Sequence, residues 1–175
     1  MATTVKRYHP ALVALHWLLA LAIIGNLVAG KLILEGMANT DPAKAEFLRL
    51  HMTSGLTILI LMLVRLVVRW RTAKPPIPNT GPLRLLAIAN HWALYAFSLA
   101  MVMTGLGTAQ LGGLFPILQG LPVTLPASFD SIPPFAGHIL FSSVLLLLLA
   151  LHIGAVTWHL IKHDNVLPRM WFGAR

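Results

Sequence analysis

Residues 135–161 read FAGHILFSSVLLLLLALHIGAVTWHLI, with no Asp, Glu, Lys or Arg. At roughly 1.5 Å of rise per residue, an uncharged apolar helix of that length spans the hydrocarbon core of a bilayer. The run contains His138 and His152, fourteen residues apart. Fourteen residues advance a helix by roughly 21 Å and leave both side chains within about 40° of one face. One span therefore offers an imidazole near each side of a membrane.

The rest of the chain supports a membrane reading. Of its 175 residues 57% are hydrophobic and 10% charged, and the mean hydropathy is +0.78. Further apolar runs cover residues 11–30, 52–68 and 85–109, each close to spanning length. Connections that alternate sides make residues 1–175 a single all-α integral membrane domain, a four-helix bundle running up-down-up-down. Asp41-Pro42 carries a helix N-cap and N1 signature, so the second helix is expected to begin there, before its membrane run. Residues 73–82, with Pro75, Pro76, Pro78 and Gly81, form a short loop. Residues 110–134 are rich in Gly and Pro yet apolar, as in a loop that lies on the membrane surface or caps the bundle.

The formal charge of +8 is distributed as the positive-inside rule requires. With the N- and C-termini in the cytoplasm, Lys6, Arg7, Arg65, Arg69, Arg71, Lys74, Arg84, Lys162, Arg169 and Arg175 lie inside. Lys31, Lys44 and Arg49 lie outside with Glu35, Asp41, Glu46 and Asp130. The basic residues are thus membrane-flanking, and no soluble module remains to bind nucleic acid. The first run follows Lys6 and Arg7 and ends in Val28-Ala29-Gly30, but it is too long for the apolar part of a signal peptide and contains His16. With no cysteine, metal or redox chemistry falls to His and Met.

Topology gives each histidine a depth. His16, early in the first span, and His152, about ten residues before the end of the fourth, share the inner half; His51 and His138, opening the second and fourth, share the outer half. Two pairs at two levels suit two bis-histidine haems, whose irons take axial ligands from opposite directions. A histidine in an apolar helix can also serve as a hydrogen-bonded packing residue, and imidazole also suits zinc or copper. Intramembrane polar residues are costly and tend to be functional, and four matched in depth are hard to explain by packing. Gly55, one turn after His51, together with Gly105, Gly107 and Gly154, would permit close approach of a flat macrocycle or simply of a neighbouring helix. Arg65 and Arg69 can pair haem propionates or anchor the second helix at the interface.

The chain resembles the bacterial cytochrome b561 family, small four-helix di-haem proteins of the inner membrane, over nearly its whole length. The resemblance rests on Arg7-Tyr8 before His16-Trp17, on His51-Met52-Thr53-Ser54-Gly55 leading to Arg65 and Arg69, and on His91 and Tyr95. It continues with Gly137-His138, Leu151-His152, His159, Asp164-Asn165 and Arg169-Met170. It implies two haem b groups, their iron ligated by His16 with His152 and by His51 with His138. It also implies electron transfer between the outer side and the quinone pool, and in one branch the oxidation of superoxide with reduction of ubiquinone.

His159, two turns beyond His152, is the candidate quinone contact and proton donor. His91 is a second, able to meet the quinone or a propionate, or to compete with His16 as a ligand. His9 and His163 read as surface residues, and Trp17, Trp70, Trp92, Trp158 and Trp171 as an inner aromatic belt. The outer segments carry three positive and four negative residues, a poor attractor for an anion, although Lys31, Lys44 and Arg49 form a local positive entrance near His51. An alternative is a subunit relaying electrons between a donor protein, docked on the apolar outer loop, and quinone. A third reading is a transporter or structural membrane protein whose histidines relay protons without haem.

Overall fold

A computed structural model describes residues 6–77, 80–164 and 166–173. Pro78 of the short loop, Asn165 of the tail and Arg175 of the charge balance lie outside the described residues. The described residues form four long helices: α1 (Pro10–Val28), α2 (Lys44–Arg71), α3 (Gly81–Leu111) and α4 (Pro133–Ile161). All four are long and apolar enough to cross a membrane. Leu21, Leu32, Leu85, Leu147 and Ile161 are exposed along their outer faces, where a bilayer would cover them.

Local chemistry sets the helix ends. Pro10 opens α1 and His9 caps it, its Nδ1 accepting from the Ala11 N–H at 3.2 Å; His9 is thus a cap as well as a surface residue. The Asp41 carboxylate accepts from the Ala43 N–H at 2.8 Å and its carbonyl from Lys44 at 3.1 Å. That turn holds Pro42 ahead of the helix, so α2 begins two residues later than the Asp41-Pro42 pattern predicts. Beyond Val28, α1 widens into a π-helical segment, Ala29–Leu34. Such segments gather at functional sites, and this one follows no signal in the sequence.

Helices α1 and α2 pack as one antiparallel pair and α3 and α4 as another. Leu19, Ile58 and Met62 fill the middle of the bundle against Tyr95, Leu99 and Val102. At the end away from the termini, Leu114, Ile117, Phe129 and Ile132 pack on Ala109, Leu48 and Met52. The apolar connection between α3 and α4, which includes a 3-10 turn at Phe115–Gln119, is therefore a cap whose large side chains turn inward.

At the termini-bearing end the tail folds back across the bundle. Trp17 donates from Nε1 to the Met170 carbonyl at 3.0 Å, and Arg7 to the Phe172 carbonyl at 2.8 Å. Arg169 donates to the Pro76 carbonyl at 2.5 Å, which fastens the tail to the α2–α3 connection as well. Trp70, Trp92, Trp158 and Trp171 are exposed, as a belt requires. Trp17 instead lies inside, its ring centroid 6.1 Å from that of Trp171.

Candidate functional site

Histidines from opposite helix pairs meet in the space between them, at two levels. Near the capped end, His51 of α2 faces His138 of α4, with ring centroids 6.1 Å apart and planes turned by 77°. Near the termini, His16 of α1 faces His152 of α4 at 6.1 Å and 67°. A metal about 2 Å from each of two opposed ring nitrogens, with roughly 1 Å more to each ring centre, sets centroids about 6 Å apart. Both pairs therefore fit an iron with two axial imidazoles.

The His51–His138 pair lines a cavity of about 560 Å³, within the range of cofactor sites. Nδ1 of His138 lies 2.9 Å from the Met101 carbonyl. A carbonyl only accepts, so Nδ1 carries the proton and Nε2 keeps its lone pair for a metal, as ligating histidines usually require. Gly105 stands behind this ring: a Cβ there would lie 3.1 Å from Cε1 and 3.3 Å from Nδ1. Gly30, in the π segment, stands behind His51 at 3.4 Å by the same measure. Gly55 also lines the cavity, but its missing Cβ would meet Asn26 at 3.8 Å, an ordinary contact. Of the glycines anticipated, Gly105 makes the close approach to a histidine ring and Gly107 one to Pro134 at 3.1 Å, while Gly30, not anticipated, meets its ring at ordinary contact. Asn26 spans α1 and α2, accepting from Ser54 at 2.6 Å, and so helps set the helix that carries His51.

The termini-side cluster holds a third ring. His91 of α3 is exposed, its ring centroid 5.4 Å from that of His152, and its Nδ1 donates to the Ala87 carbonyl at 2.6 Å. The His16–His152 distance suits a trans pair better, which favours His16 over His91 as partner. Among the described residues no three His, Asp or Glu side chains converge as a metal-binding group.

Arg65 is 8% exposed inside the bundle. Its Nε donates to the Tyr95 hydroxyl at 2.7 Å, while its Nη1 is buried without a partner, as is Nε of Arg69. Arg69 lies over the rings of Trp92 and Tyr95 at 5.5 and 5.9 Å. Two guanidinium groups with unspent buried donors suit carboxylates such as propionates. His159 lies two turns beyond His152 on α4, its Nδ1 2.7 Å from Asp164 Oδ2.

Lys31 and Lys44 line the His51–His138 cavity, as do Glu35 and Asp130. Lys31 pairs Glu35 at 3.2 Å. Lys44 is 6% exposed, its ammonium donating to the Met37 carbonyl and to Asn39 Oδ1, each at 2.6 Å. Both acceptors are neutral. Arg49, expected beside them, instead binds Glu46 at 2.6 Å one turn away on its own helix; of the three basic residues, Lys44 alone lines the cavity without a carboxylate at salt-bridge distance among the described residues.

Residues 7–173 match the family described as prokaryotic cytochrome b561. The chain is 29% identical over 171 residues to a protein of Yersinia pestis named probable superoxide oxidase CybB, covering 94% of this chain and 96% of that one. It is also 29% identical over 177 residues to cytochrome b561 homolog 2 of Escherichia coli strain K12, covering 95% and 92%. Four membrane-spanning helices with paired histidines between them, and a family match over nearly the whole length, place this multi-pass bacterial membrane protein in the prokaryotic cytochrome b561 family, whose members bind haem b and transfer electrons across the membrane.

Proposed function

We propose that the protein carries electrons through two b haems, one held by His51 and His138 and the other by His16 and His152, oxidising superoxide at the capped end and reducing ubiquinone at the termini-bearing end. The observation that carries this reading is the repeated 6.1 Å histidine pair, with two members fourteen residues apart on α4. The charge asymmetry sets the direction, with the termini cytoplasmic in a bacterial inner membrane. When bound, each haem supplies a one-electron couple whose potential the protein tunes.

The chain's own residues do the rest. Met101 fixes the His138 tautomer, and Gly105 lets that ring sit close against backbone. Lys44, a buried cation held by neutral acceptors, draws an anion toward the capped-end cavity. The superoxide oxidase name of the Yersinia relative supports that choice of anion. Arg65 and Arg69 hold carboxylates at the other level. His91 beside His152 and His159 two turns beyond it each have Nδ1 engaged, so Nε2 is the ring nitrogen each offers a quinone, donating a proton from the doubly protonated ring.

The test adds superoxide to oxidised protein, with and without superoxide dismutase, and follows haem reduction and quinol formation. Dismutase-sensitive reduction with quinol formation supports the proposal. Reduction no faster than the uncatalysed background removes the superoxide step and leaves a relay.

A further inference from the structure

Helix α4 ends in a closure that brings two particular side chains together. The His163 N–H donates to the Leu160 carbonyl at 3.0 Å and the Asp164 N–H to the His159 carbonyl at 2.9 Å, with His163 in the left-handed region at φ 57°. This is the Schellman pattern, in which glycine usually holds the left-handed position and the third residue from the helix end meets the second residue beyond the C-cap, commonly through apolar side chains. Here those two residues are His159 and Asp164, and the contact is polar: Nδ1 to Oδ2, 2.7 Å. The His159 side chain is 18% exposed and that of Asp164 53%, so the pair runs from the bundle toward water.

The nearby cation does not compete for this carboxylate. Lys162 lies over the Trp158 ring at 5.0 Å, and among the described residues the ion pair of Asp164 is with His159. A carboxylate accepts, so Nδ1 of His159 carries a proton and Nε2 is the ring nitrogen left for a ligand. Whenever Nε2 is protonated as well, the ring is positive and the carboxylate pairs that charge through a charge-assisted hydrogen bond.

We propose that Asp164 is a positioning residue for proton delivery to the quinone, fixing the His159 tautomer and pairing the charge of its doubly protonated form so that Nε2–H meets a quinone oxygen. The inference rests on the quinone reduction proposed above and deepens it. Quinone takes two electrons through the haem pair and two protons. One proton leaves His159 Nε2, the N–H bond breaking as the quinol O–H forms; Nε2 takes a proton back from water once the quinol departs. The second proton comes from water.

The test uses the haem-loaded full chain in lipid nanodiscs, reduced beforehand and mixed with a short-chain ubiquinone in stopped flow while haem reoxidation is followed. Asp164→Asn keeps an acceptor for Nδ1–H but loses the charge. It should leave haem content and spectrum unchanged, slow reoxidation by roughly tenfold or more, and raise the solvent deuterium isotope effect. Asp164→Glu should return the rate to within about threefold of the parent. Asp164→Asn at the parent rate, with an unchanged isotope effect, reduces the pair to a helix cap and overturns the proposal. Asp164→Glu as slow as Asp164→Asn overturns the role of charge. A parent protein that quinone does not reoxidise overturns the quinone reading, and this inference with it.

Discussion

Replacing Gly105 with alanine adds one methyl group to α3 where it meets the His138 ring. The new Cβ would stand 3.1 Å from Cε1 and 3.3 Å from Nδ1, inside ordinary contact distance, so something must retreat by a few tenths of an ångström. The ring has little freedom to do so, because its Nδ1 is tied to the Met101 carbonyl at 2.9 Å. Overpacking of this kind costs about 1–3 kcal/mol. At about 1.4 kcal/mol per tenfold, that is a capped-end haem held roughly 5- to 150-fold more weakly. Gly30→Ala is the matched control, since its Cβ would meet His51 at 3.4 Å, an acceptable contact. In both helices alanine is the better former by up to about 1 kcal/mol, so lost haem cannot be blamed on helix propensity. The assay is haem per polypeptide, followed by the rate of haem transfer to excess apomyoglobin. Gly105→Ala should lose one haem faster than the parent while Gly30→Ala should not. Equal retention by both variants, or greater loss from Gly30→Ala, would show that the Gly105 contact does not govern haem retention.

Three further outcomes are expected. Tyr95→Phe removes the acceptor of Arg65 Nε and leaves another charged donor unpaired in the bundle, at about 1–3 kcal/mol; the midpoint of thermal haem loss should drop, and an unchanged midpoint would contradict the contact's importance. Trp17→Phe deletes the hydrogen bond to the Met170 carbonyl, and at about 1 kcal/mol for such a bond trypsin should cut after Arg169 roughly fivefold faster; resistance equal to the parent's would mean that other contacts hold the tail. Lys44→Met removes a buried cation from the cavity, so superoxide-driven reduction at low salt should slow by about tenfold or more and lose most of its ionic-strength dependence. A rate still as fast and as salt-sensitive as the parent's would take Lys44 out of the entrance.

The four spans were legible because hydropathy and spacing are local properties, and the histidine depths followed once topology was assigned. Capping of the bundle by residues 110–134 was one of two readings of their apolar composition; only tertiary contacts of Leu114 and Ile117 distinguish it from a surface loop. Contacts between helices were not legible at all. Nothing local marks Gly30 as the residue behind His51, since its value depends on a π-helical offset and on the register of α1 against α2. Arg49 reads like Lys31 and Lys44 by sidedness, but Glu46 three residues earlier captures it. Trp17 reads like a belt residue, and only the returning tail shows why it faces inward. The pairing of His159 with Asp164 depends on His163 adopting a left-handed conformation, which a non-glycine residue does not announce.

Counting haem b per polypeptide in the purified protein with the pyridine haemochrome assay tests the two-haem reading of the histidine pairs. Two equivalents per chain are predicted, one for each 6.1 Å histidine pair. A single equivalent, or a colourless protein, would contradict it.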